Sequence, residues 1–400
     1  MNNTVQTMMR EATRLTQAGH VHEATQLIQR VLGGLPVPSA AVELSAHGST
    51  QDHAANDTPT YAPTIDATPL VLDGIVLTRN IHASEANVAR NGPGEFIDRS
   101  YTHGGLTRRY KLYVPPGHAG RVLPLVVMLH GCTQNPDDFA AGTGMNNRAR
   151  EQGFFVLYPA QSQDASPQRC WNWFKREHQQ RGSGEPALLA AMTQAVLQEY
   201  AIDARRVYIA GLSAGGAMAD IVAAAYPEIF AAVGVHSGLP SGAAGSVAGA
   251  FAVMKNGASA SALKAQAGRG DVPFTASTRG RAHRPTIVFH GDQDQTVHPN
   301  NGEQIIAALL HNVGTTASAD QPVSRTASPR VEHGVSIGGR RYARSIHRGE
   351  RDDVLAEHWL VQGAGHAWSG GSPKGSYTDA RGPDATGEML RFFFEHPQRS

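Results

Sequence analysis

Three chemistry-bearing positions stand in one order along this 400-residue chain, each just beyond a short apolar run. The first is Ser213, within Gly211-Leu212-Ser213-Ala214-Gly215, a match to G-x-S-x-G. A serine hydroxyl is a poor nucleophile near neutral pH and needs a neighbouring base. His366, in the run Gly363–Trp368, is the candidate base, because it follows an apolar run ending at Val361. A base of this kind needs an acid to fix its tautomer and stabilise its imidazolium form. The segment His290–Val297 offers Asp292 and Asp294. Asp294 is the preferred acid. The next helix is expected from Val297, which turns Asp294 toward the site, whereas Asp292 is expected to hydrogen-bond its own loop. Together these residues would carry acyl transfer through a covalent serine intermediate.

The pentapeptide alone is a weak signal, and its surroundings strengthen it. The apolar run Val207–Ala210 leads into it and a helical pattern, Ala214–Ala225, leaves it. Strand, strained turn and helix in that order make a nucleophile elbow, with the serine at the helix N-terminus. The tetrahedral intermediate also needs backbone N–H donors. Ala214, next after the nucleophile, is one candidate. The second is expected in the loop His130–Gln134, and the Cys132 amide is nominated. Other histidines have weaker claims. His130 and His290 each end a strand before a glycine and read as packing or loop-shaping residues. His236 follows another strand and is a candidate for lining the site, while His347 and His358 lie within or beside strands.

The segment Arg169–Phe174 is rich in aromatic residues. Trp171 and Trp173, with Trp368, are candidates for lining a substrate cleft, the alternative being a packed loop. Cys132 and Cys170 are the only cysteines. A bond between them would pin the aromatic loop to the oxyanion loop, whereas a reducing cytosol would keep them apart. The sequence leaves that open.

The elements that must position these residues alternate. Tyr110–Val114 has a half-exposed strand pattern. Leu123–Leu129, Phe154–Tyr158, Val207–Ala210, Ala231–Val235, Thr286–Phe289 and His358–Val361 are continuous apolar runs, as expected of strands buried on both faces. Helical patterns cover Pro186–Tyr200, Ala214–Ala225 and the region of Met389–Phe393. Such alternation implies an α/β class with a doubly wound, mostly parallel sheet, and the order Ser213, Asp294, His366 is that of the α/β-hydrolase fold.

This catalytic domain is assigned to residues 70–400. Residues 1–34 read as an N-terminal helical segment, either docked on the enzyme or serving as an amphipathic tether, and residues 35–69 as a flexible linker. Lys and Arg total 35 against 34 Asp and Glu, a net charge of +1, so charge gives no reason to expect nucleic acid as a partner. No apolar run is long enough to span a membrane. The N-terminus lacks the apolar core of a secretory signal, so a cytoplasmic location is expected, with secretion as the alternative. No metal-ligand spacing and no phosphate-binding glycine motif stands out, so neither metal nor cofactor is expected.

The segments Tyr110–Pro116, Pro124–Gln134, Cys170–Phe174, Val207–Gly216, His290–Val297 and Gly365–Trp368 resemble the poly(3-hydroxybutyrate) depolymerase family of esterases, whose catalytic domain is similar to feruloyl and acetylxylan esterases. The resemblance spans roughly residues 105–395. It implies an α/β-hydrolase fold and attack on 3-hydroxyalkanoate or similar short acyl esters, with Ser213 as nucleophile, Asp294 as acid and His366 as base. The implied partner is an ester or polyester substrate, with the surface of a polyhydroxyalkanoate granule as a candidate. A feruloyl- or acetylxylan-type carboxylesterase is the alternative enzyme, and a granule-associated binding protein the non-enzymatic one.

Overall fold

The structure, a computed structural model, describes residues 92–257, 284–315 and 328–398. The expected helical segment 1–34, the linker 35–69 and the first residues of the expected catalytic domain lie outside them. The described strands are β1 (Glu95–His103), β2 (Leu106–Val114), β3 (Leu123–Leu129), β4 (Phe155–Pro159), β5 (Ile202–Leu212), β6 (Ala232–His236), β7 (Thr286–Gly291), β8 (Arg330–Val335), β9 (Arg341–Arg348) and β10 (Val354–Val361). A small pair, β11 (Trp368–Ser369) and β12 (Thr378–Asp379), stands apart from the main sheet. The described α-helices are α1 (Pro136–Thr143), α2 (Met145–Gln152), α3 (Gly184–Glu199), α4 (Ala214–Ala225), α5 (Val247–Asn256), α6 (Asn300–Thr315) and α7 (Ala385–Glu395).

Ten strands form one sheet in the order β1-β2-β4-β3-β5-β6-β7-β10-β9-β8. The pairs from β4 through β3, β5, β6 and β7 to β10 are all parallel. Antiparallel strands close both edges. The central strands are apolar on both faces because both faces are covered by helices. Leu125, Val127 and Leu129 of β3 and Ile209 of β5 pack with Leu189 and Met192 of α3 and Ile221 of α4. Val126, Met128 and Tyr208 point the other way, toward Phe139 of α1, Met145 of α2 and Phe393 of α7. The rings of Tyr208 and Phe393 stack with centroids 5.0 Å apart.

This is the α/β-hydrolase arrangement expected from the order of apolar runs. One boundary differs, and three strands carry no clear sequence signal. The helix expected from Val297 begins at Asn300, because the intervening residues form a turn capped by Asp294. Strands β1, β8 and β9 lie at or next to the sheet edges. Their half-exposed faces carry Asp, Arg, Glu and His, so they lack the continuous apolar signature of the inner strands. Among the described residues no helix is long and apolar enough to cross a membrane.

Since β3, β5, β7 and β10 run parallel, their C-terminal ends meet at one edge of the sheet. In open α/β sheets that edge is where ligands bind. The loops leaving these four strands carry Cys132, Ser213, Asp294 and His366.

Candidate active site

Ser213 sits between β5 and α4 with φ +57° and ψ −120°. A non-glycine residue held there costs on the order of 1–3 kcal/mol, so its surroundings must fix it. Its N–H donates to the His236 carbonyl at 2.9 Å, at the end of the adjacent strand. The flanking glycines are required by close approach. A Cβ at Gly211 would run into the backbone of Gly215, and a Cβ at Gly215 would run into the carbonyls of Leu129 and His130. The elbow is thus pressed directly on the end of β3, beside the loop that carries Cys132.

Asp294 and His366 meet on the neighbouring strand ends. His366 Nδ1 lies 2.7 Å from Asp294 Oδ2. A carboxylate can only accept, so Nδ1 carries the proton and Nε2 is left as the basic nitrogen. Asp294 Oδ1 accepts the N–H groups of Thr296 at 2.9 Å and Val297 at 2.8 Å. His290 Nε2, which donates to the Val297 carbonyl at 2.8 Å, is also 3.5 Å from Asp294 Oδ2. Burial pushes the Asp294 carboxyl up, but hydrogen bonds from His290 and His366 outweigh it and hold the group well below the usual carboxylate range.

The loop bearing His366 is stitched to the loop bearing Asp294. Gln293 N donates to the Ala364 carbonyl at 3.0 Å and Asp292 N to that of Val361 at 3.1 Å. The sequence expectation that Asp292 bonds its own loop is not met. Its Oδ1 accepts the Gly363 N–H at 2.7 Å, across the gap to the histidine loop. A Cβ at Gly291 would collide with the Ala364 carbonyl, so glycine is what allows the two loops to touch. Arg340 donates to the Gly363 carbonyl at 2.5 Å from the β8–β9 turn.

The two nominated oxyanion donors occupy suitable backbone. Ala214 opens α4, so its N–H is one of the four that lack an acceptor within the helix. Around Cys132, the amide of Gly131 donates to Gln134 Oε1 at 2.9 Å, Thr133 to the Gln168 carbonyl at 2.6 Å and Gln134 to the Gly131 carbonyl at 3.3 Å. Among the described residues the Cys132 amide takes no such acceptor in this turn, which leaves it for a ligand.

Cys132 and Cys170 form a disulfide, with Cα atoms 4.2 Å apart. The pairing that the sequence leaves open is therefore a bond, against the reduced state a cytosol would favour. The two loops approach closely enough for the bond, and buried polar contacts hold them there. Glu185, at the start of α3 and fully buried, accepts from Asn172 N and Asn172 Nδ2, both at 2.8 Å, and from Gln161 Nε2 at 2.5 Å. Gln161 in turn donates to the Cys170 carbonyl at 3.1 Å and accepts from Arg108 Nε at 2.9 Å. Its own N–H donates to His130 Nε2 at 3.1 Å. Burial lowers the His130 imidazole to about 4, so it stays neutral and accepts there.

Of the two readings of the tryptophans, cleft lining or a packed loop, their burial in the core favours packing. Trp171 is 0% exposed and donates from Nε1 to the His130 carbonyl at 3.0 Å. Trp173 is buried as well. Trp368 donates to Thr386 Oγ1 at 3.0 Å and packs between Phe139 and His236. A buried indole usually finds a partner for its N–H, as Trp171 and Trp368 do. Trp171 and Trp368 back the loops that carry Cys132 and His366. His236 is likewise buried behind Ser213. Its Nε2 accepts the Ser369 N–H at 2.9 Å, and burial lowers it to about 3. Sequence reasoning missed Arg108, Gln161 and Glu185, because single polar residues in three separate segments carry no local motif. Among the described residues no three His, Cys, Asp or Glu side chains come together as a metal site.

Fold and site define an α/β-hydrolase with a serine elbow and an adjacent histidine–carboxylate pair. Residues 108–331 match the family described as esterase PHB depolymerase, and the chain belongs to that family. It is 31% identical over 266 residues to poly(3-hydroxyalkanoate) depolymerase C of Paucimonas lemoignei, which covers 66% of this chain and 59% of that protein. It is 30% identical over 209 residues to feruloyl esterase B of Thermothelomyces thermophilus, covering 52% of this chain and 70% of that one. Acetylxylan esterase A of Talaromyces purpureogenus is 28% identical over 193 residues, 48% of this chain and 50% of its own. Among solved structures, acetyl xylan esterase from Aspergillus awamori superposes with a TM-score of 0.56 at 19% identity, covering 76% of this chain and all of that one. This likeness is one of fold.

Proposed function

We propose that this chain is a serine esterase of polyhydroxybutyrate depolymerase type, acting on 3-hydroxyalkanoate esters through an acyl-enzyme on Ser213. The observation that carries the reading is the 2.7 Å pairing of His366 Nδ1 with the buried Asp294 carboxylate, on loops at the sheet edge where the Ser213 elbow lies. The reaction begins as Ser213 Oγ attacks the ester carbonyl and its proton passes to His366 Nε2. The carbonyl oxygen becomes an oxyanion and accepts from the amides of Ala214 and Cys132. Collapse breaks the ester C–O bond, and His366 returns the proton to the departing alcohol. Water then repeats the sequence on the acyl-enzyme and releases the acid. Asp294 stays ionised throughout and stabilises the imidazolium.

A second reading, a carboxylesterase on feruloyl or acetyl groups of plant polymers, is favoured by the relatives of those names. The Cys132–Cys170 bond supports an oxidising compartment. It weighs against the cytoplasmic location and for the secreted alternative. A purely granule-binding role gives no reason for the Asp294–His366 pairing. The test compares release of 3-hydroxybutyrate from amorphous polyhydroxybutyrate granules with turnover of feruloyl and acetylxylan esters, in wild type and Ser213→Ala. Ser213-dependent release from granules is the expected result. Turnover of the plant esters alone would replace the first reading by the second.

A further inference from the structure

Tyr377 is a large aromatic side chain beside His366 that stays exposed, at 41%. It lies in the short connection between β11 and β12, and its φ is +52°. That backbone region is unfavourable for a bulky residue, and an observed outlier of this kind points to function. The strain is imposed from both sides of the residue. The Tyr377 carbonyl accepts the Trp368 N–H at 2.7 Å, and Thr378 pairs with Trp368. On the other side Ser376 N and Ser376 Oγ donate to the two oxygens of Asp138 at 2.8 and 2.6 Å. The ring is therefore held out in the open by a rigid frame.

What it is held against are the two halves of the site. Its ring lies edge-on to His366, with centroids 6.5 Å apart and planes at 78°. Its hydroxyl is 3.1 Å from Thr133 Oγ1, the side chain next to Cys132. Two hydroxyls carry two protons. Their mutual bond uses one, so one O–H remains to donate outward. The pair thus places an apolar ring edge and a hydroxyl donor within one residue of the nominated oxyanion amide.

We propose that Tyr377 is a specificity-determining residue of the cleft. The ring flanks the acyl group bound at Ser213, and the Tyr377–Thr133 hydroxyl pair donates to a carbonyl oxygen one ester unit away from the scissile bond. The site then prefers linear hydroxyacyl oligoesters to esters with no second acceptor. This rests on the esterase reading above.

The test measures kcat/KM for the linear trimer of 3-hydroxybutyrate and for ethyl butyrate, with wild type, Tyr377→Phe and Thr133→Val, folding being checked by circular dichroism. Tyr377→Phe keeps the ring and removes the donor. It should lower the trimer-to-butyrate ratio of kcat/KM about three- to tenfold, the range set by one hydrogen bond. Thr133→Val should lower the same ratio. Equal losses on both esters would mean that the pair acts only by steadying the Cys132 turn, and would overturn the proposal. So would a ratio that does not move. Failure of wild type to cleave either ester in a Ser213-dependent way would instead remove the esterase reading itself, and this inference with it.

Discussion

The oxyanion side of the site and its acid–base side are anchored by different means. The Cys132 turn is tied to the aromatic loop by a disulfide and backed by Arg108, Gln161, Asn172 and Glu185, drawn from four separate segments. Asp294 and His366 stand on loops from adjacent parallel strands. Those loops hold each other mainly through backbone donors and acceptors, with Asp292 and Arg340 bracing Gly363. In the proposed mechanism the difference follows from what each side must do. An amide stabilises an oxyanion only if it is already aimed at it, because preorganisation is what makes such a donor effective in catalysis. The turn offering that amide is irregular and has no ladder of its own to hold it, so long-range ties replace one. The acid and base inherit their placement from strand ends that are already in register.

Several variants test that contrast, beginning with the largest effect. Asp294→Asn removes the carboxylate that fixes the His366 tautomer and should lower kcat by on the order of 10⁴. Asp292→Asn keeps the tautomer and loosens only the Gly363 anchor, so a loss of about tenfold or less is expected from the same steady-state assay. The reverse ranking would move the acid to Asp292. Opening the disulfide with the pair Cys132→Ala and Cys170→Ala should destabilise the fold by about 2–4 kcal/mol in urea titration. If the covalent tie serves the oxyanion turn, kcat should fall more than KM rises. A change in stability alone would separate the bond from catalysis.

A smaller effect comes from acid. His130, His236 and His358 are buried neutral, with values near 4, 3 and 4 set first by desolvation. Their folded values lie below the unfolded one of about 6.5. Their contribution is therefore complete above that pH and lost as pH falls toward 4, because the unfolded chain takes up the protons first. Between pH 8 and pH 6 the three together should cost roughly 2–3 kcal/mol, read as a lower urea midpoint. His130→Asn should remove about a third of that dependence, which would assign that share to the oxyanion side.

The same contrast explains what could be read from the sequence. Asp294, His366 and the Ser213 elbow were legible because each depends on local order: an apolar strand, a glycine, then the reactive side chain. The parallel centre of the sheet was legible for the same reason. The support of the oxyanion turn was not, since Glu185 at a helix start and Gln161 in a loop give no sign of meeting Asn172. The tryptophans show a related limit. An aromatic cluster marks a place where much surface is buried, but its type does not say whether ligand or protein buries it. Trp171, Trp173 and Trp368 are buried by the protein. Tyr377, the residue left open beside His366, sits in a polar, glycine-rich segment that carries no motif.

The most direct test of the account is to find the covalent intermediate. The protein is mixed with an activated short-chain acyl ester and quenched within the first turnover, and its peptides are weighed by mass spectrometry. The account predicts one acyl group, on the peptide carrying Ser213, absent in Ser213→Ala and longer-lived in His366→Ala when the acyl group is delivered by a strong leaving group. Acylation at another residue, or turnover by Ser213→Ala at the wild-type rate, would contradict it.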